Sequence, residues 1–349
     1  MGLFDRLRAW LKKDVIVDAA SVRSDWNDSN PPPPSTMLAA RSGPHLLLLK
    51  RFLHGAEMRE ANDERWAAVL RESETAAVAR LESEGLLVEA PFEAAIQSAF
   101  QAKELKAFAR ERGLKVSGTK PELAQRLIAA DATGSRHLLG ARRFLICSDQ
   151  GKQLADAYVQ EQKTARAEAE QVTLELLKKR RLQEAAKAVA SFEAKQVFAR
   201  GLGIDWEASE DPVGSVGELE SIFSGTPQIL AGIGQDKLDA LRIAAGMDIL
   251  WGTNAASRWL PEGFESGSRL DLDVAARMLI FYASHKRNLA GYSSIAKRVR
   301  LSAVRDEQTC AACQKIDGQT FAFGSLPELP YAKCTSEMGC RCMDVPLFV

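Results

Sequence analysis

Histidines and paired acid–base residues are scarce in this sequence. The four histidines do not stand beside a motif-like nucleophile or a carboxylate pair: His45, His54, His137 and His285. Nucleophilic and acid–base catalysis require such groups within hydrogen-bonding reach of one another. A phosphate-binding P-loop is also missing. The sequence therefore lacks the recognisable parts of a hydrolase or a metalloprotease, and we expect a non-enzymatic role.

The chain also lacks a long apolar run and an excess of either charge. No run reaches the roughly 18 apolar residues that a membrane-spanning helix needs, and the N-terminal stretch has no secretory core. We therefore expect a cytoplasmic protein without a membrane span. The 46 Lys and Arg residues balance 46 Asp and Glu residues. A nucleic-acid-binding surface would then have to come from a local positive stretch.

The 349 residues suffice for several domains, and 46% hydrophobic and 26% charged residues are ordinary for globular ones. Changes in composition predict their order: an amphipathic helix at 1–19, a Pro-rich linker at 20–44, a winged-helix-like region at 45–150, a long charged helix at 151–200, an acidic connector at 201–235, a helical domain at 236–305 and a Cys-rich zinc module at 306–349. The predicted fold is mainly α and multidomain, with the long helix as a semi-rigid link.

The stretch 101–131 predicts two short amphipathic helices joined by a turn. Leu105 and Ala109 recur at helical spacing, and Gly113 is suited to ending the first helix. Thr119 and Glu122 form a Thr-x-x-Glu capping box that starts the second. We therefore expect a compact helical hairpin here.

Positive charge gathers at the turn between these helices. The stretch carries seven Lys and Arg residues against four Asp and Glu residues, in a chain of zero net charge. Backbone N–H groups at the start of the second helix would point outward beside Lys115 and Lys120, with Arg126 further along. This arrangement predicts an anion site suited to phosphate.

The sequence ELKAFARERGLKVSGTKPELAQRL resembles the SAP domain, a helix-turn-helix-like DNA-binding module. The apolar spacing, the Gly-Leu junction, the Ser-Gly turn and the capped second helix all agree. The resemblance covers nearly the whole module but under a tenth of the chain. It implies contacts with double-stranded DNA, mainly with its backbone, by Lys115, Ser117, Gly118, Thr119, Lys120 and Arg126. The alternative is a helical hairpin with a solvated basic face.

Helix and strand patterns alternate around this stretch, as is typical of a winged-helix-like region. GLLVEA at 85–90 and the apolar run around Leu145 predict two strands, and we expect Leu87 and Leu145 to pair as neighbours. The SAP stretch would then lie inside or against this domain.

Two further stretches carry local positive charge. The cluster 178–181 in the long helix could contact nucleic acid, but it also fits a solvated helical face. Between 284 and 305 there are six Lys and Arg residues and no acidic one, which makes a second positive patch directly before the cysteines. The N-terminal helix and the long helix are candidate surfaces for a protein partner.

Five of the six cysteines lie in the last forty residues, spaced as C-x2-C, a gap of twenty, and C-x5-C-x-C. A C-x2-C pair lets two thiolates reach one metal, and two more complete a tetrahedral zinc site. The predicted ligands are Cys310, Cys313 and Cys340, with Cys334 or Cys342 as the fourth. Disulfides are the alternative, but thiols stay reduced in the cytosol. Because few apolar runs surround the cysteines, we expect this module to need its metal in order to fold.

The string VRDEQTCAACQKIDGQTFAF, followed by GCRC, also resembles the C-terminal region of the minor head proteins of Mu-type phages, the head-morphogenesis family. That family shows a similar D-x-x-T-C-x-x-C-x-x-x-D-G-x-x-F pattern, ending in a His and a Cys-Arg-Cys. Here no His precedes Cys340, and Cys334 stands near its place at a longer spacing. The resemblance implies a role in assembling a phage or prophage head.

The sequence as a whole thus predicts a nucleic-acid-binding protein that contacts duplex DNA with little sequence specificity and carries a structural zinc near its C-terminus. One alternative is a phage or prophage head-assembly protein. Another is a nuclease or defence effector whose catalytic residues are not recognisable.

Overall fold

The structure is a computed structural model of the chain and describes residues 43–58, 64–198, 216–253 and 255–348. It divides into two compact units, Met1–Ala165 and Arg166–Val349. Thirteen α-helices and six short strands occupy the described ranges, which confirms the mainly helical prediction. The helix predicted at 1–19, nearly all of the linker at 20–44 and the first part of the connector at 201–235 lie outside them.

Unit 1 combines helices with a small antiparallel sheet of order β1-β3-β2. Its elements are α1 Gly43–Arg51, β1 Ala56–Glu57, α2 Glu64–Leu70, α3 Glu74–Ser83, β2 Leu87–Glu89, α4 Phe92–Ala99, α5 Ala102–Glu111, α6 Lys120–Ala130, α7 Ala132–Leu139 and β3 Phe144–Cys147. The two strands predicted as neighbours do pair, although Leu87 lies opposite Cys147 rather than Leu145. The winged-helix-like topology stays a prediction.

The sheet of unit 1 separates two apolar cores. Phe144 and Leu145 are consecutive on β3, so they point to opposite faces of the sheet. Leu145 packs in one core with Phe52 and other side chains from α1 and α3. Phe144 packs in the other, with Leu105 and Leu127 from the SAP-like stretch. This second core holds α5 and α6 against the rest of unit 1.

The long helix predicted at 151–200 is interrupted. α8 covers Asp149–Lys178, beginning in unit 1 and ending in unit 2, and α9 covers Leu182–Ala194. Between them Arg180 takes the left-handed conformation, with φ 58°. Glycine usually occupies such a helix-ending position, and the segment after Gly151 contains none. The sequence therefore shows no sign of the break.

Unit 2 adds helices from the second half of the chain and an antiparallel sheet of order β5-β4-β6. Its further elements are α10 Val216–Ser224, α11 Gln235–Trp251, α12 Leu272–Tyr292, β4 Arg298–Ser302, α13 Ala311–Ile316, β5 Thr320–Ala322 and β6 Met343–Leu347, with short 3-10 turns at Gln228–Leu230, Ala256–Trp259 and Phe323–Ser325. The connector predicted at 201–235 thus includes a helix, α10, which buries Leu219 and Ile222.

The Cys-rich segment shares the core of the helical domain. Leu241 of α11 and Leu279 of α12 lie in one apolar cluster with Leu329 and four of the cysteines. The module predicted at 306–349 as poor in apolar contacts is therefore packed on the helices that precede it. The sequence did not indicate this because the apolar partners come from elsewhere in the chain.

α12 contains the longest apolar run of the sequence. It buries Val274, Met278 and Leu279, while Arg277 and Lys286 are exposed. Across the described ranges, no helix is both long enough and apolar enough to cross a bilayer.

A buried hydrogen bond between His285 and Asp344 ties α12 to β6. His285 Nδ1 lies 2.5 Å from Asp344 Oδ1, and the two side chains are 4% and 5% exposed. The second carboxylate oxygen of Asp344 has no hydrogen-bond partner among the residues that are described. The pair fixes β6 on α12 two residues beyond Cys342, and no sequence pattern indicates it because its members lie far apart in the chain.

Candidate nucleic-acid interface and metal centre

The first SAP-like helix, α5, ends in the glycine turn that the sequence predicts. Gly113 has φ 64°, and the N–H of Leu114 donates to the carbonyl of Ala109 at 2.8 Å. Together with the bond from the N–H of Gly113 to the carbonyl of Arg110 at 3.1 Å, this bond forms a Schellman motif, which satisfies the last carbonyls of the helix. Leu114 and Val116 then pack against the core under α5 and α6. The turn therefore starts from a fixed, apolar anchor.

The second helix, α6, begins at Thr119 with the predicted capping box. The Glu122 carboxylate accepts the backbone N–H of Thr119 at 2.7 Å. This hydrogen bond is the main reason why the pKa of Glu122 lies below its usual value. Gly118 has φ 124°, and a Cβ at this position would stand 2.6 Å from Glu122 Oε2. The turn thus needs glycine both for its backbone and for its cap.

Arg126 holds the turn together from the side of α6. Its Nη1 donates to the carbonyl of Lys115 and, at 3.0 Å, to that of Ser117. The SAP resemblance implies only a DNA contact for Arg126, whereas the structure also gives it this positioning role. Backbone carbonyls carry no residue-type signal, so the sequence contains no trace of these bonds.

The other five candidate residues lie on the outside of the turn. Lys115, Ser117, Gly118 and Thr119 are exposed, and Lys120 is half-buried. In the described part of the chain, neither lysine forms an ion pair. The N–H of Thr119 is already bound and Pro121 has none, so the lysines supply most of the attraction for an anion.

α5 contributes further exposed positive charge. Lys103, Lys106 and Arg110 are exposed and stand three and four residues apart, which places them on one side of the helix. They extend the positive surface of the stretch beyond the six predicted residues.

The basic cluster 178–181 is largely neutralised. Three of its four members form ion pairs: Lys178 with Glu175, Arg180 with Asp239 and Arg181 with Glu184. Arg180 also lies over the Phe223 ring, 4.5 Å from its centroid. This supports the solvated, structural interpretation of the cluster over a nucleic-acid contact.

All five C-terminal cysteines converge in unit 2. The Sγ atoms of Cys310, Cys313 and Cys334 lie within 4.8 Å of one another, as do those of Cys313, Cys340 and Cys342. Cys310 is half-buried and the other four are buried. All five thiols are free of disulfides. Cys313 belongs to both triplets and therefore stands at the centre of the cluster.

The spacing of these thiols fits one metal ion. Four thiolates bound at 2.3 Å in a tetrahedron lie about 3.8 Å apart. The Sγ atoms of Cys310 and Cys334 are separated by 3.8 Å. A pocket of about 10 Å³, roughly the room of one water-sized sphere, is lined in part by Cys310, Cys313, Cys334 and Cys342. The cluster could therefore hold a metal.

Cys310 differs from its neighbours in its electrostatic surroundings. Although burial opposes ionisation, the backbone N–H groups of Thr335 and Cys313 donate to its Sγ and lower the pKa of Cys310 to about 6. Burial raises the pKa of Cys313, and the Cys340 thiol together with burial raises that of Cys334. A bound cation would offset this cost, because thiolates are the metal-binding form.

An ion pair joins the two ends of the cysteine cluster. Arg341, between Cys340 and Cys342, donates to both oxygens of Asp306 at 2.6 and 2.7 Å. The Thr309 hydroxyl donates to the same carboxylate at 3.0 Å. These contacts position the segment that precedes Cys310 against the segment that ends the cluster. They give a physical role to the Asp, the Thr and the Cys-Arg-Cys of the pattern noted in the sequence.

Comparison with known proteins bears on the first of these sites. Residues 98–132 match the family model described as the SAP domain. No curated protein and no solved structure gives a significant match. The resemblance of the C-terminal region to phage head proteins stays a prediction. The chain contains a SAP domain at 98–132, and this domain suggests a nucleic-acid partner.

Proposed function

We propose that the chain binds double-stranded DNA through the turn of its SAP domain, contacting the phosphate backbone with little sequence specificity. The observation that carries the proposal is the glycine-dependent, capped turn, on which Lys115 is exposed and Lys120 half-buried. Neither lysine has an ion-pair partner among the described residues. Phosphate contacts position a protein on DNA but carry no sequence information. No set of base-reading side chains stands beside the turn in the sequence.

Within this proposal the six candidate residues have different roles in the contact with DNA. Lys115 and Lys120 attract phosphates by charge. Ser117, Gly118 and Thr119 offer hydroxyl or backbone N–H donors at short range. Arg126 fixes the turn through its carbonyl contacts and leaves its other N–H groups for a phosphate.

The test uses the full chain and two double variants with the same change in net charge. Lys115→Glu with Lys120→Glu reverses the proposed contacts and keeps Arg126 in place. Lys178→Glu with Arg181→Glu is the control, because those residues are neutralised by Glu175 and Glu184. Fluorescence anisotropy with a labelled duplex should show a large loss of affinity for the first variant only. Its slope of log affinity against log salt should fall by about 2, at roughly 0.9 per lost phosphate contact.

Equal binding by both double variants would place the DNA site elsewhere. Circular dichroism of each variant separates loss of contact from loss of fold. The parent should bind duplexes of unrelated sequence with similar affinity, and a strong preference for one sequence would contradict backbone recognition.

We further propose that the cysteine cluster holds one structural zinc through Cys310, Cys313, Cys334 and Cys340. Cys334 belongs to the triplet of Cys310 and Cys313, and Cys340 adjoins both Cys313 and Cys334. Cys342 would then be the spare thiol. Thiolate-rich sites are typically closed and structural. Free thiols at this density fit a reducing compartment, which supports the cytoplasm as the location.

Elemental analysis of the purified chain tests the zinc proposal. We expect about one zinc per chain, the ratio of a single four-ligand site. A serine at any of the four proposed ligands should remove it, whereas Cys342→Ser should retain it. Loss of zinc from Cys342→Ser but not from Cys340→Ser would exchange the roles of these two cysteines. Disulfides in protein isolated under non-reducing conditions would contradict the site.

A second candidate function is a part in assembling a phage or prophage head. It is favoured by the structural roles of the shared pattern around the cysteines. Asp306 binds Arg341, and Asp317 accepts the N–H of Ala303 at 3.0 Å before Gly318 turns the chain at φ 75°. Capsid and portal genes beside the gene for this chain would support the role, and their absence would count against it.

A further inference from the structure

The sheet of unit 2 has one face in the core and one face outside. On the central strand β4, Val299 and Leu301 are fully buried, whereas Arg298 and Arg300 are exposed. Successive side chains of a strand point to opposite faces, so the two arginines lie side by side on the outer face. Lys297, directly before the strand, is exposed as well.

The cross-strand neighbours of these arginines carry no acidic group. Arg298 stands opposite Ala322 of β5 and Leu347 of β6, and Arg300 stands opposite Thr320 and Val345. In the ranges that the structure describes, none of the three cations forms an ion pair, and Arg298 donates only to the neutral carbonyl of Thr320 at 3.4 Å. The positive charge on this face is therefore uncompensated.

Other cations of the same basic stretch are compensated. Arg287 pairs with Glu218, and Arg305 pairs with Asp317 at 2.8 Å. Lys286 lies over the ring of Tyr282, 4.6 Å from its centroid. The six positive charges at 284–305 thus separate into a group engaged within unit 2 and a group that faces outward from the sheet.

We propose that the outer face of the β5-β4-β6 sheet, with Lys297, Arg298 and Arg300, is a second binding surface for the phosphate backbone of nucleic acid. Guanidinium groups match phosphate in a two-pronged geometry. Arg298 and Arg300 are separated by about 6.8 Å along the strand, at roughly 3.4 Å per residue. Phosphates follow one another every 3.4 Å of axis along one DNA strand, so both arginines can reach phosphates of the same strand.

This surface lies outside the SAP domain and goes beyond the function proposed above. Nucleic acid is the occupant that fits its charge, because a polyanion can contact all three cations at once and the SAP domain of the same chain suggests a nucleic-acid partner. The apolar side chains of β6 on this face, Met343, Val345 and Leu347, can pack against sugars. The chain would then contact nucleic acid once in each of its two units.

The test reverses the two arginines in the full chain. Arg298→Glu with Arg300→Glu is compared with the control Lys178→Glu with Arg181→Glu, which changes net charge equally at neutralised positions. Anisotropy with a labelled duplex should show weaker binding for the arginine variant alone, with a salt slope lower by about 2. Arg298→Lys with Arg300→Lys should retain most of the affinity because the charge remains.

Zinc content and circular dichroism report whether the reversed strand still folds, and Arg298→Gln with Arg300→Gln is the milder variant if it does not. In the background of Lys115→Glu with Lys120→Glu, reversal of the two arginines should remove the residual binding. Binding equal to that of the control overturns the proposal. A loss of binding on the arginine reversal but not on the Lys115 and Lys120 reversal would leave this surface standing and refute the SAP site.

Discussion

The SAP turn and the cysteine cluster are built in opposite ways. The turn is made by consecutive residues at 113–126, and its candidate contact groups lie at the surface. The cluster brings together Cys310 and Cys342 from the two ends of a long segment and buries four of its five thiols. The hydrogen bonds that shape the turn come from its own two helices and the residues between them, whereas the cluster is packed in the core of unit 2.

Substitutions at the two sites should therefore have different consequences for binding and for folding. Exposed, unpaired charges at the turn can be reversed at little cost in folding, because surface substitutions seldom change stability by more than about 0.5 kcal/mol. A buried thiol that binds the metal holds the segments packed around the cluster in place. We therefore expect changes at the turn to alter binding and changes at the cluster to alter folding.

The largest effect should follow the loss of the metal. Structural zinc contributes roughly 10–16 kcal/mol of apparent binding free energy in small peptides, which rivals the net stability of a whole domain. Because Cys313 belongs to both thiol triplets, Cys313→Ser should abolish the cooperative thermal unfolding of unit 2. Circular dichroism melts and limited proteolysis, with and without a chelator, measure this loss.

DNA binding by the same Cys313→Ser chain tests whether the SAP turn is independent of the cysteine cluster. The SAP domain has its own apolar core in unit 1, so its contribution to binding should persist without the metal. Cys342→Ser serves as the control and should melt like the parent. An unchanged melting curve for Cys313→Ser would show that apolar packing alone holds the cysteine segment.

A smaller loss is expected from the buried pair that ties β6 to α12. Removing one member of a buried hydrogen-bonded pair costs about 1–3 kcal/mol, since the other is left without its partner. Asp344→Ala should therefore destabilise unit 2 by this amount in urea unfolding, with Asp344→Asn less harmful because it can still hydrogen-bond His285. Zinc content should stay near that of the parent. A loss below about 1 kcal/mol would mean that the pair does not hold the strand.

Much of the SAP domain could be predicted from sequence because its determinants are local. The stop at Gly113, the capping box of Thr119 and Glu122 and the apolar face of Leu105 each depend on residues within one or two helical turns. The family match at 98–132 covers the same stretch. The convergence of the cysteines was also predictable in outline, since metal ligands repeat at recognisable spacings.

The remaining features of the fold and of the two sites depend on tertiary contacts that leave no pattern in the sequence. Arg126 binds backbone carbonyls, and His285 binds Asp344 from a distant part of the chain. Arg180 takes a left-handed conformation that glycine usually occupies. The tertiary fold determines each of these features. Likewise, the apolar surroundings of the cysteines come from α11 and α12. The sequence of the last forty residues therefore underestimates how well that segment is packed.

The turn itself should be sensitive to a single methyl group. A left-handed conformation costs a residue with a side chain about 1–2 kcal/mol relative to glycine. Gly113→Ala should show about that cost, because a Cβ there meets open space. Gly118→Ala should cost more, since its Cβ would also displace Glu122 from the cap. Hydrogen exchange of the α5 and α6 amides measures the loss of stability in both variants. Equal losses would show that Glu122 can move away from the added Cβ without weakening the cap.

The smallest effect concerns the charge of Glu122 and tests whether the cap makes the turn pH-dependent. The backbone hydrogen bond from Thr119 holds the pKa of Glu122 below the usual 4.5. Its stabilising contribution is then complete above pH 4.5 and is lost as the pH falls through the lowered pKa. Hydrogen-exchange protection of the α6 amides in the parent should therefore decline at acidic pH more than that of amides in the apolar cores of unit 1.

Glu122→Gln isolates that charge, because glutamine preserves the capping hydrogen bond and cannot ionise. The variant should be slightly less protected at neutral pH and should lose the acid-dependent part of the decline. The favourable interaction of a carboxylate with the helix N-terminus explains the neutral-pH difference. Hydrogen exchange at neutral and acidic pH compares the two chains under the same conditions. Identical acid profiles would mean that the cap contributes through its hydrogen bond and that its charge has no part in holding the turn.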